Sequence, residues 1–177
     1  MQASLRNPFV DIMQATDFLL STGIIDGSRM AVAGGSYGGY LVSWIGTQTN
    51  RFACIINHAG VFDFVGQFGS DCTMGRVRSF GGSPWEDLEG LNAYNPLHHM
   101  ETSETPRLII HGEKDYQVPV GNALAAYGIL KAKGVDAKLV YFPDENHWVL
   151  TAQNSIFWYN EFHGWLDRYI GEGAARD

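Results

Sequence analysis

Apolar residues along this chain fall into two alternating patterns. Four short runs are apolar at successive positions and break off at Gly, His or Pro: Arg29-Met30-Ala31-Val32-Ala33-Gly34, Phe52-Ala53-Cys54-Ile55-Ile56-Asn57-His58, Arg107-Leu108-Ile109-Ile110-His111 and Lys138-Leu139-Val140-Tyr141-Phe142. Runs of that length predict strands buried on both faces. Around them apolar residues recur every three or four positions, the period of an amphipathic helix. One such stretch opens at Asn7-Pro8, read as N-cap and first helical residue, carries Phe9, Ile12, Met13, Leu19 and Leu20, and stops at Gly23. Others cover 37–47 and 122–133, and a last helix opened by Asn154-Ser155 carries the stripe Trp158, Phe162, Trp165, Leu166, Tyr169, read as core packing alone. Across 59–106 the pattern loosens into glycine-rich and aromatic stretches, which predict loops and short helices. The alternation predicts an α/β fold, a mostly parallel sheet of about four strands flanked by helices. No repeat or linker interrupts it, so residues 1–177 read as a single domain.

Composition narrows the function. Charged residues are only 18% of the chain and hydrophobic ones 45%, a balance that excludes disorder. With 12 Lys plus Arg against 19 Asp plus Glu, the net charge is −7, which argues against nucleic-acid or polybasic membrane binding. No apolar run approaches the ~18 residues of a membrane span, and the opening residues lack the apolar stretch of a secretory signal. Cys54 and Cys72 are too few for a disulfide framework. Read as free thiols, they favour a reducing, cytoplasmic compartment; a signal upstream of this piece would change that.

Three predicted strand ends carry polar residues where an open α/β sheet places its ligands. Gly34-Gly35-Ser36-Tyr37-Gly38 is a G-x-S-x-G sequence between a strand and a helix, the turn that pushes a nucleophilic serine out of the sheet. The glycines two before and two after the serine remove side chains that would collide, and the following helix points its N–H groups at developing negative charge. Asp115 follows the third strand and His147 the fourth. Serine needs a base, and the base needs a carboxylate to fix its tautomer; the order Ser, Asp, His is that of α/β-hydrolases. Glu113 is the alternative acid, while Asp144 and Glu145 read as solvated loop charges. His58 reads as a pocket or hydrogen-bonded core residue. His98-His99 point apart and lack a Cys or carboxylate cluster, so no metal is expected.

The stretches Gly34-Gly35-Ser36-Tyr37-Gly38-Gly39-Tyr40, His111-Gly112-Glu113-Lys114-Asp115 with Val118-Pro119, and Phe142-Pro143-Asp144-Glu145-Asn146-His147-Trp148 resemble the prolyl oligopeptidase family of serine peptidases. Within it the likeness is to the acylaminoacyl-peptidase and dipeptidyl-peptidase 5 branches, over about 7–170. The resemblance implies cleavage of short peptides through an acyl-enzyme without a cofactor, with Ser36 as nucleophile, Asp115 as orienting acid and His147 as base. Family members carry a propeller and an eight-stranded hydrolase domain. The four strands predicted here match strands 5 to 8, so the resemblance implies a partial α/β-hydrolase fold without a propeller, a carboxyl-terminal piece or a shortened relative. The Tyr37 N–H supplies one oxyanion donor; the family's second donor lies upstream, and no His-Gly-Gly-Gly run occurs here.

Two further expectations concern surfaces. Tyr40, Phe62, Trp85 and Trp148, with Phe64 and Phe68, are read as an apolar substrate pocket. By the family's strand order Met30-Ala31-Val32-Ala33 is an unpaired apolar edge, which predicts a homo-oligomer or pairing with a missing amino-terminal half. The functional expectation is a serine hydrolase acting on short or N-blocked peptides. The alternatives are a carboxylesterase on small esters and a catalytically incomplete fragment.

Overall fold

The computed structural model describes residues 2–71, 75, 77 and 82–172, with 2–7 as backbone only. Each apolar run forms a strand: β1 (Ala31–Gly35), β2 (Cys54–His58), β3 (Arg107–Gly112) and β4 (Ala137–Phe142). They pair in the order β1-β2-β3-β4, all parallel. Gly35 lies opposite His58, His58 opposite Ile110, and Gly112 opposite Phe142. The segments that follow β1, β3 and β4 therefore emerge along one end of the sheet.

The α-helices with bounds among the described residues are α1 (Gln2–Ser21), α2 (Tyr37–Gln48), α3 (Leu88–Asn92), α4 (Gly121–Ala132) and α5 (Ala152–Ile170), and they flank the sheet. Side chains alternate across a strand, and that alternation builds the layers. Ile109 of β3 packs with Ala123, Ala126 and Leu130 of α4. Its neighbours Leu108 and Ile110 pack with Trp165 of α5, together with Cys54, Ile56 and Val140. On α2, Tyr40, Leu41, Trp44 and Ile45 form a third cluster that Phe9, Ile12 and Met13 of α1 join. The segment between β2 and β3 consists of loops, two 3-10 turns and α3 among the described residues.

Two boundaries differ from expectation. The first helix starts at Gln2, not at Asn7-Pro8, and Pro8 lies inside it. A proline there removes one backbone bond, and the apolar face from Phe9 to Met13 carries the helix through. The last helix starts at Ala152 after Thr151, because the Asn154 amide donates to Asp144 and Glu145 instead of capping. Trp158 and Tyr169 also do more than pack: the Trp158 indole bonds His58 and the Tyr169 hydroxyl bonds Asp136. Cys54 is a buried free thiol pushed up to about 12 by burial; Cys72 lies outside the described residues. No helix among the described residues is long and apolar enough to cross a membrane.

Candidate active site

Ser36 is the hinge between β1 and α2. Its N–H donates to the His58 carbonyl (2.9 Å), extending the β1–β2 ladder, while its own carbonyl accepts the Tyr40 N–H (3.0 Å) and opens α2. Changing from strand to helix at one residue forces φ to 57° with ψ −117°, a conformation costly for a residue with a Cβ. The serine stands at the N-cap position, yet its side chain does not cap the helix. A Cβ at Gly34 would lie 2.3 Å from the Gly38 carbonyl oxygen, whereas one at Gly38 meets nothing within 4 Å. Among the described residues only the first glycine of the motif answers to crowding.

Asp115 and His147 form a hydrogen-bonded pair, His147 Nδ1 to Asp115 Oδ2 at 2.7 Å. The other carboxylate oxygen accepts the N–H groups of Gln117 (3.0 Å) and Val118 (2.8 Å). His111 stands behind the pair, its Nε2 2.8 Å from the Val118 carbonyl and 3.3 Å from Asp115 Oδ2. Burial alone would push the Asp115 carboxyl up, but hydrogen bonds from His111, His147 and the Val118 N–H hold it well below the usual carboxylate range. An ionised carboxylate only accepts, so His147 carries its proton on Nδ1 and leaves Nε2 as the basic nitrogen. Glu113 is exposed and bonds Tyr141 instead.

Close passage of two loops makes the pair possible. A Cβ at Gly112 would lie 2.3 Å from the Asn146 carbonyl oxygen, and the Lys114 N–H donates to the Glu145 carbonyl (2.9 Å). Glu145, expected to be a solvated loop charge, is instead only 4% exposed. Its carboxylate accepts from the N–H groups of Leu150 and Thr151 and from the Asn154 amide, tying both ends of the loop that carries His147. The Leu150 N–H is the main reason its carboxyl is held down at about 2. The partners are mostly main-chain groups, so residue type gave no signal of this role.

His58 links the two halves. Its main-chain carbonyl receives the Ser36 N–H, and its ring lies between the His147 carbonyl (Nε2, 3.2 Å) and the Trp158 indole N–H (Nδ1, 3.1 Å). The Ser36 hydroxyl and the His147 ring are not themselves hydrogen-bonded.

The expected pocket residues separate. Trp148 is 61% exposed, stands edge-on to His147 at 5.4 Å, and lines a cavity of ≈ 280 Å³ with His58 and Trp158. Trp85 is exposed and packs edge-on against Phe68. Tyr40 is buried against Phe64, its hydroxyl donating to the Tyr94 carbonyl. Phe62 is fully buried in the α4 layer. Those two are core and not pocket, because the chain's own side chains cover them and further chain would only bury them more. Among the described residues no group of three His, Cys, Asp or Glu gathers to hold a metal.

A parallel sheet bearing a serine elbow and a hydrogen-bonded Asp–His pair at the same strand ends is the carboxyl-terminal portion of an α/β-hydrolase fold. The model of the prolyl oligopeptidase family matches residues 4–173, and the chain belongs to that family of serine peptidases. It is 36% identical to dipeptidyl-peptidase 5 of Porphyromonas gingivalis over 90% of this chain and 24% of that protein. Against dipeptidyl-peptidase 5 of Schizosaccharomyces pombe it is 34% identical over 96% of this chain and 26% of the other. The fold matches acylaminoacyl peptidase of Pyrococcus horikoshii with a TM-score of 0.90 at 23% identity, over 100% of this chain and 29% of that one. The chain thus spans about a quarter of the length of the curated relatives it matches.

Proposed function

We propose that this chain is the triad-bearing part of a serine peptidase acting on short or N-blocked peptides. The observation that carries the reading is the 2.7 Å bond between His147 Nδ1 and Asp115 Oδ2, beside a serine held at positive φ with an uncapped hydroxyl. In this reading Ser36 Oγ attacks the scissile carbonyl carbon as His147 Nε2 takes its proton. His147 then returns that proton to the leaving amine as the C–N bond breaks, giving an acyl-enzyme. Water hydrolyses the ester by the same route, restoring Ser36. Asp115 holds the ring in the Nδ1–H tautomer and stabilises the imidazolium. The Tyr37 N–H donates to the oxyanion, and Trp148 contacts substrate beside His147.

Small aryl esters are a second substrate class, favoured by the openness of the site: Tyr37 is 50% and Trp148 61% exposed. The likeness to dipeptidyl-peptidase 5 and acylaminoacyl peptidases supports peptides as the physiological class. The partner we propose for the β1 edge is the amino-terminal half of such a hydrolase domain, or failing that a second copy. β1 pairs on one side only among the described residues, and α1, the helix that precedes it in the chain, leaves Phe18 and Leu19 exposed. A clean monomer by light scattering, unresponsive to a co-expressed amino-terminal half, would count against that pairing.

The test is intact mass after incubation with a fluorophosphonate, alongside Ser36→Ala. One stoichiometric adduct, absent from the variant, is the expected result. A folded chain that takes no adduct, alone or with an amino-terminal half supplied, overturns the reading. Comparing aminoacyl anilides with aryl esters then separates peptidase from esterase.

A further inference from the structure

Outside the acid–base pair, the His58 ring bridges the His147 main chain and the Trp158 indole. An indole N–H only donates, so the Trp158 contact at 3.1 Å requires a bare Nδ1 on His58. A carbonyl only accepts, so the His147 contact at 3.2 Å requires a proton on Nε2. Two one-way partners therefore select one neutral tautomer. Burial favours the neutral ring as well, partly opposed by the bond to the His147 carbonyl; His111, His147 and Asp115 are the titratable groups around it. The same residue receives the Ser36 N–H on its main-chain carbonyl at 2.9 Å.

We propose that His58 is a positioning residue that sets the base against the nucleophile, its Nε2–H ring held by Trp158 and clamping the His147 carbonyl. This rests on the reading that Ser36 and His147 act together. Asp115 holds the His147 ring at Nδ1, but where the ring sits also depends on the backbone from which it hangs. The His58 bond fixes that backbone at the His147 carbonyl, and its anchor is the residue whose carbonyl already locates Ser36. His58 touches no reacting atom in this arrangement. Its effect is the distance between Ser36 Oγ and His147 Nε2.

The experiment uses the 177-residue chain and its His58→Phe, His58→Gln and Trp158→Phe variants, with two readouts. One is the rate of fluorophosphonate labelling; the other is the NMR of the imidazole nitrogens and of the downfield proton between His147 and Asp115. His58→Phe is expected to label about 10²-fold more slowly, the scale of an ångström misplacement, and to broaden the downfield proton. His58→Gln keeps a donor near the ε position and recovers most of the rate. Trp158→Phe loses less, and its His58 nitrogens report mixed tautomers.

A folded His58→Phe that labels at the parent rate with the proton unchanged overturns the proposal, as does a parent ring protonated on Nδ1. If His58→Phe does not fold, the Gln and Trp158 variants decide by the same readouts. If the parent takes no label, alone or with an amino-terminal half supplied, yet its downfield proton responds to His58→Phe, the hold on His147 stands and the acyl-transfer reading fails.

Discussion

The two halves of the candidate site are built to different standards. The acid–base half, at the ends of β3 and β4, is closed: Asp115 accepts two main-chain N–H groups and two imidazoles, and Glu145 ties the His147 loop through three more bonds. The nucleophile half stands on β1, an edge strand among the described residues, with Ala33 and Gly35 exposed. A cavity of ≈ 250 Å³ opens between Gly34, Gly35, His58 and α5. The difference teaches where the site's order comes from. Asp115 and His147 need only residues in this chain to be placed. Ser36 has its backbone set by this chain, while the strand it stands on is exposed at Ala33 and Gly35 among the described residues.

The severest test of the closed half is Asp115→Asn. Both Gln117 and Val118 present N–H groups to one side-chain oxygen, so an asparagine must keep its carbonyl there. Its amide then faces two histidines that both donate towards Asp115. His147 has to offer a bare Nδ1 and move its proton to Nε2, which leaves no base for the serine. Labelling of Ser36 is expected to slow by about 10⁴-fold in a chain whose far-ultraviolet circular dichroism is unchanged. A loss under tenfold would mean that Asp115 does not set the tautomer.

A pair of alanines probes the hinge of the open half. Gly34→Ala drives a Cβ to 2.3 Å from a backbone oxygen of Gly38 and is expected to destabilise by at least the ~1–3 kcal/mol of ordinary overpacking. Gly38→Ala has free space and sits in the first turn of α2, so it gains up to ~0.5–1 kcal/mol of helix propensity. Urea midpoints that move in opposite directions confirm the asymmetry. Equal losses at both positions would restore a steric role for Gly38.

Much of this was legible in the sequence. All four strands, and their parallel order, follow from runs such as Leu108-Ile109-Ile110 that are apolar on both faces, and Ser36, Asp115 and His147 stood out as polar residues at strand ends. Glu145 escaped because a carboxylate that binds main-chain N–H groups looks, in sequence, like any loop charge. Tyr40 and Phe62 were misplaced since aromatic character marks burial and binding alike, and only packing tells them apart. The start of α1 was misread because Asn7-Pro8 is a strong opening signal locally, overridden by the apolar face that follows.

Acid should act on the closed half through Glu145. Its carboxyl is held at about 2 in the folded chain, below the ordinary value of ~4.3, so the folded state is favoured above that ordinary value. The contribution is lost as pH falls towards 2, where the folded carboxylate itself takes a proton. Asp115, also held down, shifts the same way. Glu145→Gln is expected to lower the melting temperature at neutral pH and to flatten its decline between about pH 4.5 and 2. An unchanged slope would return Glu145 to a solvated loop charge.

The smallest effect expected on the site itself comes from the far end of β3. Arg107 is completely buried there, donates from Nη2 to Ser103 Oγ at 3.0 Å, and leaves Nε and Nη1 without partners. Burial pushes its guanidinium down to about 10, and no carboxylate is bonded to it among the described residues. Replacing a buried charge by an apolar chain of similar length is often neutral or stabilising, so Arg107→Met should hold or raise the melting temperature. Ser103→Ala, by contrast, removes the guanidinium's one partner among the described residues and should cost ~1–3 kcal/mol, the desolvation penalty of an orphaned donor. Labelling of Ser36 should be unaffected by either, because His111 and Gly112, at the other end of the strand, keep every contact they make to the site. A changed labelling rate in Arg107→Met would show that the order of the closed half is carried along β3 and not by its local hydrogen bonds.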